Sequence, residues 1–159
     1  MNVRLIGAGR IKEPFLAEGA QEFTKRLRPY ASVDLVAVED DPLPGRLSPA
    51  AEATVRRREG ERLLRHVPPG WRLVALDVGG RMFTSEELAR WLEQEKLAGH
   101  ANFAFVIGGS LGLSEEILAR ADLRLSLSRL TFLHQMVPLL LLEQLYRACK
   151  ISAGEPYHR

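Results

Sequence analysis

The sequence predicts an α/β domain, with a mostly parallel sheet covered by helices on both faces. Three observations carry this. Short β-branched and aliphatic runs alternate with stretches of helical length, so each strand-to-strand connection is a crossover of the kind that joins parallel strands. The runs end in glycines or polar turn residues, and serines or threonines stand where helices should start. The 159 residues, 46% hydrophobic and 26% charged, can bury one core, and no repeat, low-complexity tract or linker divides them, which predicts a single domain over 1–159.

Val3 to Ala8 reads as the first strand, ending in Gly7-Ala8-Gly9, and a helix should follow from about Pro14 to Leu27. Val33 to Val38 is a second strand, broken by the acidic and turn-forming segment Glu39 to Gly45, the expected flexible loop. Ser48-Pro49 opens a helix, Ser48 as N-cap and Pro49 in its first turn, running to about Val67 before Pro68-Pro69-Gly70 stops it. Arg72 to Asp77 is the third strand. Thr84-Ser85-Glu86-Glu87 is a capping-box pattern starting a helix to about Leu97. Asn102 to Ile107 is a fourth strand ending in Gly108-Gly109, Ser114 caps a short helix to Ala121, and Leu123 to Leu127 is a fifth strand. The last helix is expected from about Pro138 to Ile151. Ligands of such sheets sit beyond the carboxyl ends of the strands, which singles out the segments after Asp77, Ile107 and Leu127.

Composition excludes several function classes. Cys149 is the only cysteine, so neither an intramolecular disulfide nor a CxxC metal or redox site can be built. The four histidines lack metal-binding spacing, and no metal is expected. Met1 to Gly7 holds no long apolar stretch or cleavage site, which predicts no export signal and a cytoplasmic location. The longest apolar run, Met136 to Leu142, is interrupted by Pro138 and falls far short of the roughly 20 residues that cross a bilayer. With 22 basic and 20 acidic residues, net charge +2, the surface is too balanced to argue for RNA by itself.

Four segments hold residues able to carry chemistry. Gly7-x-Gly9-x-x-Lys12 has the position of a dinucleotide fingerprint, but lysine replaces its third glycine and Glu39 lies beyond the expected spacing of about 20 residues, which favours a plain turn. Gly108-Gly109-Ser110-Leu111-Gly112 is a denser glycine loop at a strand end, suited equally to a tight turn or to a flat ligand lying on backbone. It lacks the Lys-Ser or Lys-Thr ending of a phosphate loop. Leu125 to Gln135 places three hydroxyls, a guanidinium, an imidazole and an amide immediately after a strand, an unusual polar density beside a buried sheet whose ordinary reading is capping and turn chemistry. The tail Gly154 to Arg159 offers an aromatic, an imidazole and a cation to a nucleotide, against the ordinary reading of a mobile terminus. Arg56-Arg57-Arg58 stands among Glu52, Glu59 and Glu61, which reads as a solvated face with ion pairs.

Several stretches resemble one family: Gly7-x-Gly9-Arg10-Ile11-Lys12-Glu13, Lys25-Arg26-Leu27-x-Pro29-Tyr30, Glu59-Gly60-Glu61-Arg62-Leu63-Leu64, and Phe105-Val106-Ile107-Gly108-Gly109-Ser110-x-Gly112-Leu113. Leu125-Ser126-Leu127-Ser128, Thr131-Phe132-x-His134-Gln135, Glu143-Gln144-x-Tyr146-Arg147-Ala148 and Pro156-Tyr157-His158 complete the set. In order and spacing these are similar to the large-subunit pseudouridine N3-methyltransferases of the knotted SPOUT class. The resemblance implies a C-terminal trefoil knot, S-adenosylmethionine as methyl donor and a homodimer acting on 23S rRNA within the assembled ribosome. It further implies a donor site of Leu76, Gly108, Leu127, Ser128, Arg129, Leu130, Thr131 and Phe132, with His134, Arg147, Tyr157 and His158 as the candidates for catalysis. The homodimer has its own sequence motive, because Leu139 to Leu142 places apolar groups around much of the last helix. Leu133 stands where the family usually has proline, and Pro138 where it usually has arginine. Loss of that guanidinium keeps open a catalytically weak or inactive RNA-binding protein on the same fold.

Overall fold

The computed structural model describes residues 1–43 and 45–158. Strand β4 (Asn102–Ile107) occupies its centre, because its residues are apolar without alternation after the first. Phe103 to Val106 are fully buried, as a strand covered on both faces must be. With β1 (Asn2–Ala8), β2 (Ser32–Val38), β3 (Arg72–Met82) and β5 (Leu123–Ser126) it forms a parallel sheet in the order β2-β1-β4-β3-β5.

Helices α1 (Pro14–Leu27), α3 (Ser85–Leu97) and α5 (Val137–Ser152) cover one face, where Ala20, Leu88, Leu92, Leu141 and Leu145 pack with Leu5, Phe103 and Phe105. Helices α2 (Pro49–Leu64) and α4 (Glu115–Arg120) cover the other, where Leu63 and Ile117 meet Ile6, Ala104 and Val106. The expected caps form: Ser48 Oγ accepts from the amide of Ala51, Ser114 Oγ from that of Ile117, and Thr84 and Glu87 make the reciprocal capping box. On α2, Arg56 and Arg57 pair with Glu52 and Glu61, as a solvated face would.

Several boundaries differ from the sequence reading, most of them by one residue. Strand β3 continues beyond Asp77 to Met82 after an irregularity between Leu76 and Arg81, and Arg81 and Met82 pair with Leu125 and Ser126. Gly80 allows this continuation, since a Cβ there would lie 2.7 Å from the Arg124 backbone. Helix α2 stops at Leu64, where the amides of His66 and Val67 turn onto Leu63 and Leu64. Strand β5 ends at Ser126, and a 3-10 turn over His134–Met136 leads into α5. Pro138 lies in the first turn of α5, where its missing N–H costs no helical bond.

Behind the end of β4, α2 carries a buried carboxylate, Glu59, only 3% exposed. Its Oε1 accepts the Asp41 amide at 3.0 Å, tying down the loop after β2, and Arg62 holds the Asp41 side chain at 2.9 Å. Among the described residues Oε2 has no hydrogen-bond partner. Burial pushes the Glu59 carboxyl above its usual range, with the Asp41 amide opposing. A folded-state pKa above the unfolded one gives stability that is present below the unfolded value and lost as pH rises through the folded one. Glu59→Gln stays neutral, so its melting temperature should gain on the parent's as pH is raised from 4 to 8, measured by circular dichroism. Parallel curves would show that ionising Glu59 costs nothing.

Candidate active site

The carboxyl ends of β3, β4 and β5 converge on a cavity of about 510 Å³, within the size range of small-molecule sites. Three segments line it: Leu76 to Val78, Ile107 to Leu113, and Leu125 to His134 without Arg129. These are the strand-end segments selected from the sequence.

The β4 segment is shaped by backbone crowding. Gly109 bridges to Gly112, whose amide donates to the Gly109 carbonyl at 3.0 Å while its φ of +82° suits glycine. A Cβ on Gly108 would lie 2.6 Å from the Gly112 carbonyl carbon. Gly108 is therefore required by the closure of its own loop, besides lining the cavity. The β5 segment is set by two serines: Ser126 Oγ donates to the Ser128 carbonyl, and Ser128 Oγ accepts the Leu130 amide, both at 3.0 Å. The chain then presents Leu130, Thr131 and Phe132 along the wall, with Leu130, Phe132 and Leu133 also reaching the surface.

Gln135 joins this segment to the first strand–helix turn. Its Oε1 accepts the amide of Lys12 at 2.6 Å and lies 3.4 Å from that of Glu13, so these amides at the start of α1 are engaged internally. Gly9, at φ +86°, donates to the Val38 carbonyl. Gly7 and Ala8 thus end β1, and Gly9 makes the turn that follows.

Of the residues proposed for donor binding, Leu76, Gly108, Leu127, Ser128, Leu130, Thr131 and Phe132 line the cavity and Arg129 does not. Of those proposed for catalysis, only His134 lines it. Arg147, Tyr157 and His158 form a second group around the tail. Arg147 pairs with Glu143 and lies 4.8 Å over the Tyr157 ring, and Tyr157 donates to Glu143 Oε1 at 3.0 Å. His158 Nε2 is 2.8 Å from Glu86 Oε1 and its Nδ1 is 3.4 Å from Arg147 Nη1, so the neutral ring with its proton on Nε2 satisfies both partners. Glu86 is held down to about 2, first by its own backbone amide and then by His158. Burial, then the bond to Glu143, raises the Tyr157 phenol. Far from fraying, residues 155–158 are held: Glu155 bonds Tyr30 and Lys150, and Tyr157 meets Tyr146 edge-on at 4.8 Å.

Glu143 links the two groups. With Thr84, Ser85, Leu140 and Gln144 it lines a cavity of about 350 Å³ that shares Leu125, Ser126, Leu127 and Phe132 with the larger one. Sequence reasoning missed Glu143, Glu86 and Asp77 as members of these sites. Glu143 stood in a recognised stretch but signalled only a helix, and Glu86 signalled only a cap. Asp77 ended an expected strand.

Comparison with known proteins agrees with this geometry. The family described as predicted SPOUT methyltransferase matches residues 1–158. A ribosomal RNA large subunit methyltransferase H of Symbiobacterium thermophilum is 58% identical over 161 aligned positions, covering 100% of both chains. The protein of that name from Pelotomaculum thermopropionicum is 52% identical, covering 99% of this chain and 98% of its own. The crystal structure of TrmJ from Z. mobilis ZM4 shares the fold at a TM-score of 0.53 and 16% identity, over 99% of this chain and 72% of that one. With a family match over nearly every residue, and the three strand-end segments folded around one cavity, the chain belongs to the SPOUT methyltransferase family.

Proposed function

We propose that this chain, acting as one domain, transfers a methyl group from S-adenosylmethionine to N3 of a pseudouridine in 23S rRNA, on the assembled ribosome in the cytoplasm. The observation that carries this reading is the cavity at the ends of β3, β4 and β5. Seven of the eight residues implied for donor binding line it, in a chain 58% identical to a ribosomal RNA large subunit methyltransferase H. The trefoil threading is what the resemblance implies, and the chain after β5 lines one cavity with the segments after β3 and β4, as such threading requires.

The cavity fits the proposed donor: glycine backbone at Gly108, Gly109 and Gly112 admits a flat base, and Leu76, Leu127 and Phe132 offer apolar walls. When bound, S-adenosylmethionine supplies a methyl group already activated by a positive sulfur. The protein's task is then alignment and exclusion of water, for which the two serine-set turns of the β5 segment provide a fixed wall. N3 must lose its proton. His134 at the cavity supplies a hydrogen-bonding group that favours charge developing on the base carbonyls, and the imidazole and phenol of the tail, engaged with Glu86 and Glu143 within one protomer, would join it only by exchanging those bonds for the substrate. Arg147 keeps Tyr157 and His158 in place through Glu143 and its own guanidinium.

The functional unit we propose is a homodimer. Within one protomer α5 uses most of its leucines: Leu141 and Leu142 are fully buried, Leu139 packs against Gly19, and Leu140 lines the smaller cavity. Among the described residues, the exposed apolar side chains at the larger cavity are instead Val78, Leu130, Phe132 and Leu133. A second copy seated there would cover these side chains and close the open side of the cavity. The substitution at Pro138 favours one rival, an RNA-binding protein without transferase activity, which a donor-binding measurement separates from the enzyme.

Three measurements test this reading. Gly108→Val should abolish S-adenosylmethionine binding in calorimetry, because the new side chain meets the Gly112 backbone and opens the loop; unchanged affinity would remove this loop from the site. Sedimentation equilibrium at micromolar protein should give a dimer, and a monomer would contradict a site completed by two copies. Deletion of Pro156 to Arg159, of which Arg159 lies outside the described residues, should nearly abolish single-turnover methylation of ribosomes while donor affinity stays close to the parent's. Its melting temperature should fall by a few degrees through loss of the Tyr157 contacts. Parental activity would return the catalytic role to His134.

A further inference from the structure

The larger cavity has a one-sided charge. Among the described residues lining it, Asp77 is the only carboxylate and His134 the only imidazole, and no lysine or arginine joins them. The Asp77 side chain is 18% exposed. Arg124 Nε and Nη2 approach it at 3.0 and 2.5 Å, but both reach Oδ2, so no described group donates to Oδ1. Arg124 itself is half exposed and does not line the cavity. One oxygen is therefore anchored and the other left for an occupant.

Building on the proposed donor site, we propose that Asp77 is its charge-reading residue: its free oxygen favours the cationic methyl donor over the product left after transfer. The donor carries a fixed positive sulfur. Transfer moves the methyl carbon to the base nitrogen, returns the S–C bonding pair to sulfur and releases the nitrogen's proton, leaving a neutral thioether. Donor and product differ by one unit of charge and one carbon, too small a change in shape for an apolar wall to discriminate strongly. An anion held a few ångströms away discriminates by Coulomb energy, which at intermediate dielectric supports about tenfold or more in affinity. Arg124 fixes the carboxylate's direction and also shares its charge, so it moderates the preference. The arrangement binds fresh donor and lets spent product leave.

The test compares the dissociation constants of S-adenosylmethionine, its demethylated product S-adenosylhomocysteine, and sinefungin, in which an amine-bearing carbon replaces the sulfonium. Calorimetry on Asp77→Asn should show about tenfold weaker binding of the two cationic ligands and less than twofold change for the neutral product. Arg124→Gln, which removes the same ion pair but leaves the carboxylate, should keep or increase the preference for cations. Equal losses for all three ligands, no loss for any, or the same pattern in both variants would overturn the proposal and give Asp77 a structural role. For the unmutated protein, the donor-over-product preference should shrink between 0.05 and 0.5 M salt, which needs no variant to fold; a salt-independent ratio counts against the proposal. If the unmutated protein binds none of the three, the donor site itself is refuted. Binding with an unchanged ratio refutes only the role of Asp77.

Discussion

The close approach of Gly108 to Gly112 is the constraint on which the site depends. Strand β4 is buried on both faces and must leave the sheet through a turn too tight for a side chain at its first position. That turn brings glycine backbone to the cavity and places Gly109 against Glu59. The segments after β3 and β5 are fitted to it, one by a continued strand and the other by serine-set turns.

Charge around this loop is arranged by depth. Among the described residues, Glu59 lies behind it, buried and with one oxygen unsatisfied, while the cavity in front holds a single carboxylate anchored by a half-exposed arginine. A buried acid is costly when ionised, whereas a partly exposed one keeps its charge available to a ligand. The two acids flank the loop in different states of solvation.

Much of this was legible in the sequence, for identifiable reasons. Helix starts were readable because Ser48, Thr84 and Ser114 act through local bonds, and β4 because an unbroken apolar run requires a two-sided cover. The strand-end loops followed from the rule for parallel sheets. What escaped depended on distant partners. Asp77-Val78-Gly79-Gly80 has turn composition, and only the backbone of Arg124, far along the chain, makes it strand. The tail read as a loose terminus because its partners Glu86, Glu143 and Tyr146 lie on helices that local pattern does not bring together. The leucines of α5 suggested a partner, yet Leu139 finds its space at Gly19 on α1.

The bond from Gln135 to the amides of Lys12 and Glu13 also orders events in time. It spans 123 residues, and β1 likewise awaits β4 as its second neighbour. During synthesis the first strand and helix emerge with a bare strand edge and an untethered helix start; the edge is completed only when β4 arrives and the helix start only when Gln135 follows. Long-range closures of this kind slow folding. A nascent chain therefore shows its strands before its pocket exists, and a product stalled before Gln135 has the hydrophobic strands of the fold without the means to cover them.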